Sequence, residues 1–138
     1  MVSYGVTASI GLLIIRLMVG LTFIGHGSQK LFGWFNGGGI KGTAGFFESI
    51  GIKPGAAMAV MAGLSEVGGG LLLALGFLTP LASLLIIGAM LMAIIKVHGP
   101  NGFWSSNGGF EYNLIIIAVA IGIALVGPGA YAIDALIF

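Results

Sequence analysis

The sequence contains no cysteine. That excludes a disulfide framework, thiolate metal ligands and any thiol–disulfide relay within the chain. Charge is almost as scarce: five Lys and Arg and four Asp and Glu make up 7% of 138 residues, for a net charge of +1. A soluble domain carries about 25% charged residues, and a water-facing surface of this size needs more charge than that to stay in solution. So weak a field also excludes a nucleic-acid interface, which depends on a basic patch. What is abundant is apolar: 58% of residues are hydrophobic and the mean hydropathy is +1.15. The 26 glycines show no every-third period, so collagen is excluded and close helix packing in lipid is the better use for them. The composition is that of an integral membrane protein, with one domain over residues 1–138.

Four apolar stretches are evident, at Ser9–Phe32, Ala56–Leu75, Thr79–Val97 and Glu111–Val126. Each approaches the ~20 residues that cross a bilayer, and backbone groups in lipid must bond within their own segment, so all are expected to be helices. Gly76-Phe77-Leu78-Thr79-Pro80 reads as a tight turn that joins the second and third spans into an antiparallel hairpin. Met1–Ala8 has neither a basic cluster nor a small-residue cleavage site, and Arg16 interrupts the apolar run behind it, so no cleavable leader is expected. Four spans place both ends of the chain on one membrane face, here side A. The loops at 33–55 and 98–110 then lie on side B with Lys30, Lys41, Lys53 and Lys96, which puts side B in the cytoplasm. Trp34 and Trp104 belong to the same face, as an interfacial aromatic belt would. Within the first side-B loop, Phe46, Phe47 and Ile50 fall at helical spacing. That fits either a short helix on the membrane surface or a hydrophobic loop packed on the bundle.

Ionisable residues inside the spans carry the functional information. Arg16 in the first span and Glu66 in the second lie at similar depth if the two helices are antiparallel, and a charge at mid-span costs ~2.5–3.5 kcal/mol unless it is paired or neutralised. The expectation is an Arg16–Glu66 pair, serving either as a fixed ion pair that sets register or as the centre of a proton or substrate site with Glu66 as proton carrier. Along the first helix Arg16, Phe23, Gly27 and Lys30 share one side and His26 borders it; Lys30 has the alternative of extending to the interface. A second polar group gathers towards side B, where His26, Lys30, Lys96, His98, Glu111 and Asn113 end or begin spans. Such donors and acids fit a quinone head group, or serve simply as helix caps and interfacial anchors. Two histidines without a third convincing ligand make a poor metal or haem site, so no metal is expected.

Several short pieces recur in an order that resembles a known family. They are Arg16-Leu17-Met18-Val19-Gly20, Gly25-His26-Gly27-Ser28-Gln29-Lys30-Leu31, and Gly39-Ile40-Lys41-Gly42-Thr43 with Phe46-Phe47. Glu66 with Gly68-Gly69 and Leu72 follows, then His98-Gly99, Gly102-Phe103, Gly109 with Glu111-Tyr112, and Gly127-Pro128-Gly129-Ala130-Tyr131 through Asp134. Over about Leu12 to Asp134 the chain resembles the DoxX family of small four-helix membrane proteins; Ala130 departs from the basic residue often found there. The resemblance implies a prokaryotic inner-membrane protein connected with quinone or redox chemistry, since the family is associated with a terminal quinol oxidase. The related DoxD proteins belong to thiosulfate:quinone oxidoreductase, and other members are linked to complexes with soluble redox partners. Without cysteine this chain has no persulfide carrier of its own.

The combined expectation is an all-α, polytopic membrane protein: an antiparallel four-helix transmembrane bundle acting as a quinone-interacting or redox-complex subunit, an oxidoreductase component. Glu66 and Arg16 are the expected catalytic residues, with His26, Lys30, His98, Glu111 and Asn113 binding substrate. No intrinsic cofactor is expected beyond a membrane quinone. Expected partners are the lipid bilayer, soluble redox proteins and further copies of the chain, and not nucleic acid. Two other classes fit the same residues: a small-solute or proton transporter using Glu66, and a non-catalytic anchor or assembly protein for soluble redox partners.

Overall fold

The computed structural model describes residues 5–138. Residues 1–4, and with them half of the Met1–Ala8 stretch read above as lacking a leader, lie outside the described residues. Long helices form where the apolar runs are: α1 at Val6–Phe32, α3 at Gly55–Leu75, α4 at Thr79–Ala93 and α5 at Glu111–Val126. Beyond Ala93, α4 loosens into a π turn at Ile94–His98 and a 3-10 turn at Gly99–Asn101, so that span is continuous over 23 residues. α5 is the short member, with 16 residues, about 24 Å of helix. The chain is thus an all-α polytopic membrane bundle of three long apolar helices and a shorter one. Trp34 and Trp104 are both exposed at its side-B end.

α1 packs on α3, α3 on α4 and α4 on α5. Between them Val19, Phe23, Leu73, Ile86, Met90, Ile116, Ile117 and Ile123 form one buried core. The closest approach is between α1 and α3, where glycines face backbone. A methyl group at Gly20 would lie 2.5 Å from the Gly70 carbonyl oxygen and 2.8 Å from Ala74 N; one at Gly27 would lie 2.7 Å from the Gly63 carbonyl oxygen and 2.8 Å from Val67 N. Two glycines a heptad apart on each helix therefore let the backbones touch. The contact fixes the register: residue 20 stands opposite 70–74 and residue 27 opposite 63–67, so Glu66 is level with His26, while Arg16 is level with Gly76.

That register overturns the Arg16–Glu66 pair. The two residues are about ten positions out of line, some 15 Å along the axis. They also lean apart, because Cβ bonds tilt towards each helix's own N-terminus and the helices are antiparallel. Arg16 instead closes side A. Its Nε–H donates to Leu73 O (3.1 Å), Nη1 to Pro128 O (2.7 Å) and Tyr131 O (3.1 Å), and Nη2 to Ala74 O (3.0 Å) and Tyr131 O (3.1 Å). All five donors of the guanidinium are used. Two acceptors are last-turn carbonyls of α3, where the helix dipole favours a cation.

The turn beside Arg16 follows the expected pattern. Gly76 caps α3 in the left-handed conformation (φ 66°) and Pro80 opens α4. Asp134, in the short helix α6 (Ile133–Ile137), caps α4: its carboxylate accepts from Leu78 N–H (2.8 Å), Thr79 N–H (2.9 Å) and the Thr79 hydroxyl (2.7 Å). Ser9 Oγ accepts from Ala130 N–H at 3.1 Å. The segment after α5 is thereby stapled across α1, α3 and α4. Burial raises the Asp134 pKa, but the bonds from Thr79 and Leu78 and the Arg16 charge outweigh it and hold the carboxyl below the usual carboxylate range.

On side B, α2 (Gly39–Ser49) is a helix and not a loop. It rests on α3 with Thr43 and Phe47 half-buried, while Phe46 stays exposed at 49%. The segment is therefore helical, as in the first alternative, and packed on the bundle, as in the second; Phe46 does not share the burial of Phe47 and Ile50. Glu48 ties the end of α2 to the start of α3 by accepting Gly55 N–H at 3.2 Å.

Two expected outcomes follow from these contacts. Gly27→Ala lowers stability by about 1–3 kcal/mol through overpacking, whereas Gly25→Ala, with nothing within 4 Å of the added methyl, is neutral or stabilising; thermal melting in detergent distinguishes them. Asp134→Asn lowers stability at neutral pH by about 0.3–1 kcal/mol, the worth of a negative charge at a helix N-terminus. Because the folded pKa is depressed, Asp134 stabilises above about pH 4 and that contribution fades as pH falls. The gap between wild type and Asp134→Asn therefore narrows in acid-titrated melts.

Candidate functional site

The α1–α3 register that separates Arg16 from Glu66 delivers Lys30 to it instead. Lys30 starts one turn beyond the level of Glu66, but its stem tilts back towards side A while Glu66 tilts towards side B. The ammonium meets Glu66 Oε1 at 2.6 Å. Lys30 does not extend to the interface, as a lone lysine at a span end would. Glu66 is 5% exposed and the Lys30 side chain 27%, so the pair is buried with its cationic half reachable. Burying two charges is costly, and good geometry recovers that cost without guaranteeing a surplus.

The pair borders a cavity of ≈ 850 Å³ lined by α1, α2, α3, α4 and the start of α5. Its polar lining includes His26, Gln29, Lys30, Glu66, His98 and Asn113. The rest is mostly apolar, with Phe46 and Phe47 from α2 and Met58, Met61, Met90 and Met92 from α3 and α4. Methionine side chains are flexible and polarisable, so this wall adapts to a flat or irregular ligand. The π turn brings Lys96, Val97 and His98 to the lining; such local widenings of a helix recur at functional sites.

The individual orientations are specific. His26 Nδ1 lies 3.2 Å from Gln29 Oε1, and Gln29 Nε2 donates to Phe35 O at 3.1 Å, so the first side-B loop holds the imidazole in place. His98 Nδ1 is 2.8 Å from Gly108 O. A carbonyl only accepts, so Nδ1 carries a proton and Nε2 is left to face the cavity side. Asn113 is buried with Nδ2 on Met90 Sδ at 3.5 Å, a weak partner.

Of the residues expected from sequence, His26, Lys30, Glu66, His98 and Asn113 are brought to one cavity. Arg16 is not among them, because its donors are spent on side-A carbonyls. Glu111 also stands apart: its carboxylate accepts Ser105 N–H at 3.1 Å, which orders the second side-B loop. It is absent from the cavity lining. Sequence reasoning passed over Gln29, Ser65 and Tyr112, which line the cavity too. Gln29 and Tyr112 sit inside the short motifs quoted above. Ser65 adjoins Glu66, and a hydroxyl next to a mid-span acid was the available signal. Among the described residues there is no cluster of three or more His, Asp or Glu able to hold a metal.

With this geometry in hand, comparison with known proteins gives a consistent picture. The DoxX family profile matches residues 11–99. The inner membrane protein YqjF of Escherichia coli K12 is 32% identical over 128 residues, covering 93% of this chain and 92% of that one. The inner membrane protein YphA of the same organism is 32% identical over 143 residues, covering 95% and 93%. A Bacillus subtilis protein named "Putative oxidoreductase CatD" is 31% identical over 129 residues, covering 94% and 88%. No solved structure matches the chain. The family profile spans most of the membrane-embedded helices and the relatives match nearly end to end, so this multi-pass inner-membrane protein belongs to the DoxX family.

Proposed function

We propose that the chain serves a membrane redox system by binding the head group of a membrane quinone at the Lys30–Glu66 pair. One observation carries this reading: a buried ion pair at 2.6 Å borders a largely apolar, methionine-lined cavity of ≈ 850 Å³ among the membrane helices. Cavities of about 300–1,000 Å³ with a few placed polar groups are the usual form of a small-molecule site. A quinone carbonyl accepts a hydrogen bond from the Lys30 ammonium. Two-electron reduction of the head group also consumes two protons, and Glu66 and the imidazoles of His26 and His98 are groups of the right kind to pass them. The electrons come from a redox partner protein, so the chain acts as the membrane subunit of an oxidoreductase. The printed name of the Bacillus subtilis relative agrees with that role. Thiosulfate chemistry is not part of the proposal, because the chain has no cysteine to carry sulfur.

Structural and ligand-binding roles of the pair separate experimentally. Lys30→Met alone leaves a buried, unpaired carboxylate and costs about 3–5 kcal/mol, whereas Lys30→Met with Glu66→Met restores most of that loss; melting temperatures in detergent check it. Binding is read from quenching of tryptophan fluorescence by a short-chain quinone. Wild type saturates, and Glu66→Gln and His26→Ala each weaken binding by about tenfold or more, the value of one hydrogen bond to a charged group. Glu111→Gln, outside the cavity, leaves it unchanged. Unsaturable quenching in wild type, or equal affinity in all variants, overturns the reading.

A further inference from the structure

The cavity has a way out at membrane depth. Next to their turn, α3 and α4 are tightly packed: a methyl group at Gly69 would lie 3.0 Å from Leu85 Cβ. Farther from the turn the same pairing sets Ala62 and Ser65 opposite Gly88 and Ala89, and a methyl at Gly88 would meet nothing within 4 Å. These four small residues all line the cavity. So do Met61 and Leu84, which are 60% and 65% exposed on the outer surface of the bundle. Gly88 lies nine residues into α4, about 13 Å from its side-A end. An opening at that depth faces hydrocarbon, not water.

We infer that this gap between α3 and α4 is a lateral portal through which the hydrophobic tail of the bound molecule runs out into the bilayer. The site accordingly selects tailed, membrane-dissolved quinones over water-borne head groups. The inference rests on the quinone reading above and adds the route and the substrate class. A cavity of ≈ 850 Å³ is of the size that encloses a drug-sized ligand, so it holds a head group and the first part of a tail, not a long polyprenyl chain. The remainder must leave. At the portal it passes from the methionine wall straight into lipid, so no apolar surface is moved into water. Small residues on both helices line the passage, and Gly88, exposed with open space beside it, is where an added side chain puts bulk at the mouth.

The test uses the full chain in lipid nanodiscs with two ligands: a tail-less benzoquinone, and a polyprenyl quinone with a photoreactive diazirine in its tail. The comparison is wild type against Gly88→Leu. The diazirine is expected to label the portal walls in wild type, at Met61, Ser65 or Met92. In Gly88→Leu, binding of the tailed quinone weakens by at least about tenfold, as when two or so methylenes lose apolar contact, and portal labelling disappears. The tail-less quinone binds both proteins equally, and an unchanged melting temperature shows that the variant folds. Equal affinity of both ligands for both proteins, or labelling confined to other faces, overturns the portal while leaving the head-group site standing. Failure of both quinones to bind wild type removes the quinone reading, and the portal with it.

Discussion

The backbone contact between α1 and α3 governs the rest of the molecule. A Cβ at Gly20 or Gly27 on one helix, or at Gly70 on the other, would run into facing backbone, and one at Gly63 into the Leu31 side chain, so the two helices have one register. The interior charges of the two helices, Arg16, Lys30 and Glu66, are then placed by that register. Level with the contact, Phe23 is fully buried. Towards side A the offset gives Arg16 to the end of α3, and towards side B it gives Lys30 to Glu66. A bulkier interface would move the helices apart and leave both cations without their partners, where an unpaired charge in hydrocarbon is most costly.

The two polar centres do different work. On side A the hairpin turn between α3 and α4 is held at both helix ends by opposite charges: Arg16 at the carbonyl end of α3, Asp134 at the amide end of α4. Each charge complements the helix dipole it faces, and every donor of the guanidinium is occupied. That centre therefore has no guanidinium donor left over. On side B the Lys30–Glu66 pair is met by a cavity instead of by carbonyls. The ≈ 850 Å³ cavity accordingly lies at the side-B end, with α2 and the π turn of α4 framing it.

Much of this architecture was legible in the residues. The spans followed from apolar length alone, since lipid leaves a chain of this composition no alternative to helices. The hairpin turn was explicit in Gly76 and Pro80. That the side-B ends of the spans would bring His26, Lys30, His98 and Asn113 together was also visible, because residues at the same level of a bundle converge. Glu111 stands outside the cavity for a local reason: at the first position of α5 its carboxylate has a nearer claimant in the Ser105 N–H. Gln29 was missed because its role is to hold His26 through a loop carbonyl, which no helical spacing encodes.

Composition and pattern by themselves determined that this is a helical membrane protein, that its interior charges must find partners, and where along each span those charges sit. Only the tertiary structure decided which charge pairs with which. Equal counting from span ends made Arg16 and Glu66 look level. The glycine contact shifts one helix along the other, and antiparallel helices tilt Arg16 and Glu66 apart while tilting Lys30 and Glu66 together. A displacement of nearly three helical turns between segments some forty residues apart in the chain is a property of how two surfaces fit. It reaches the charges through packing, and packing is not written at the positions of the charges themselves.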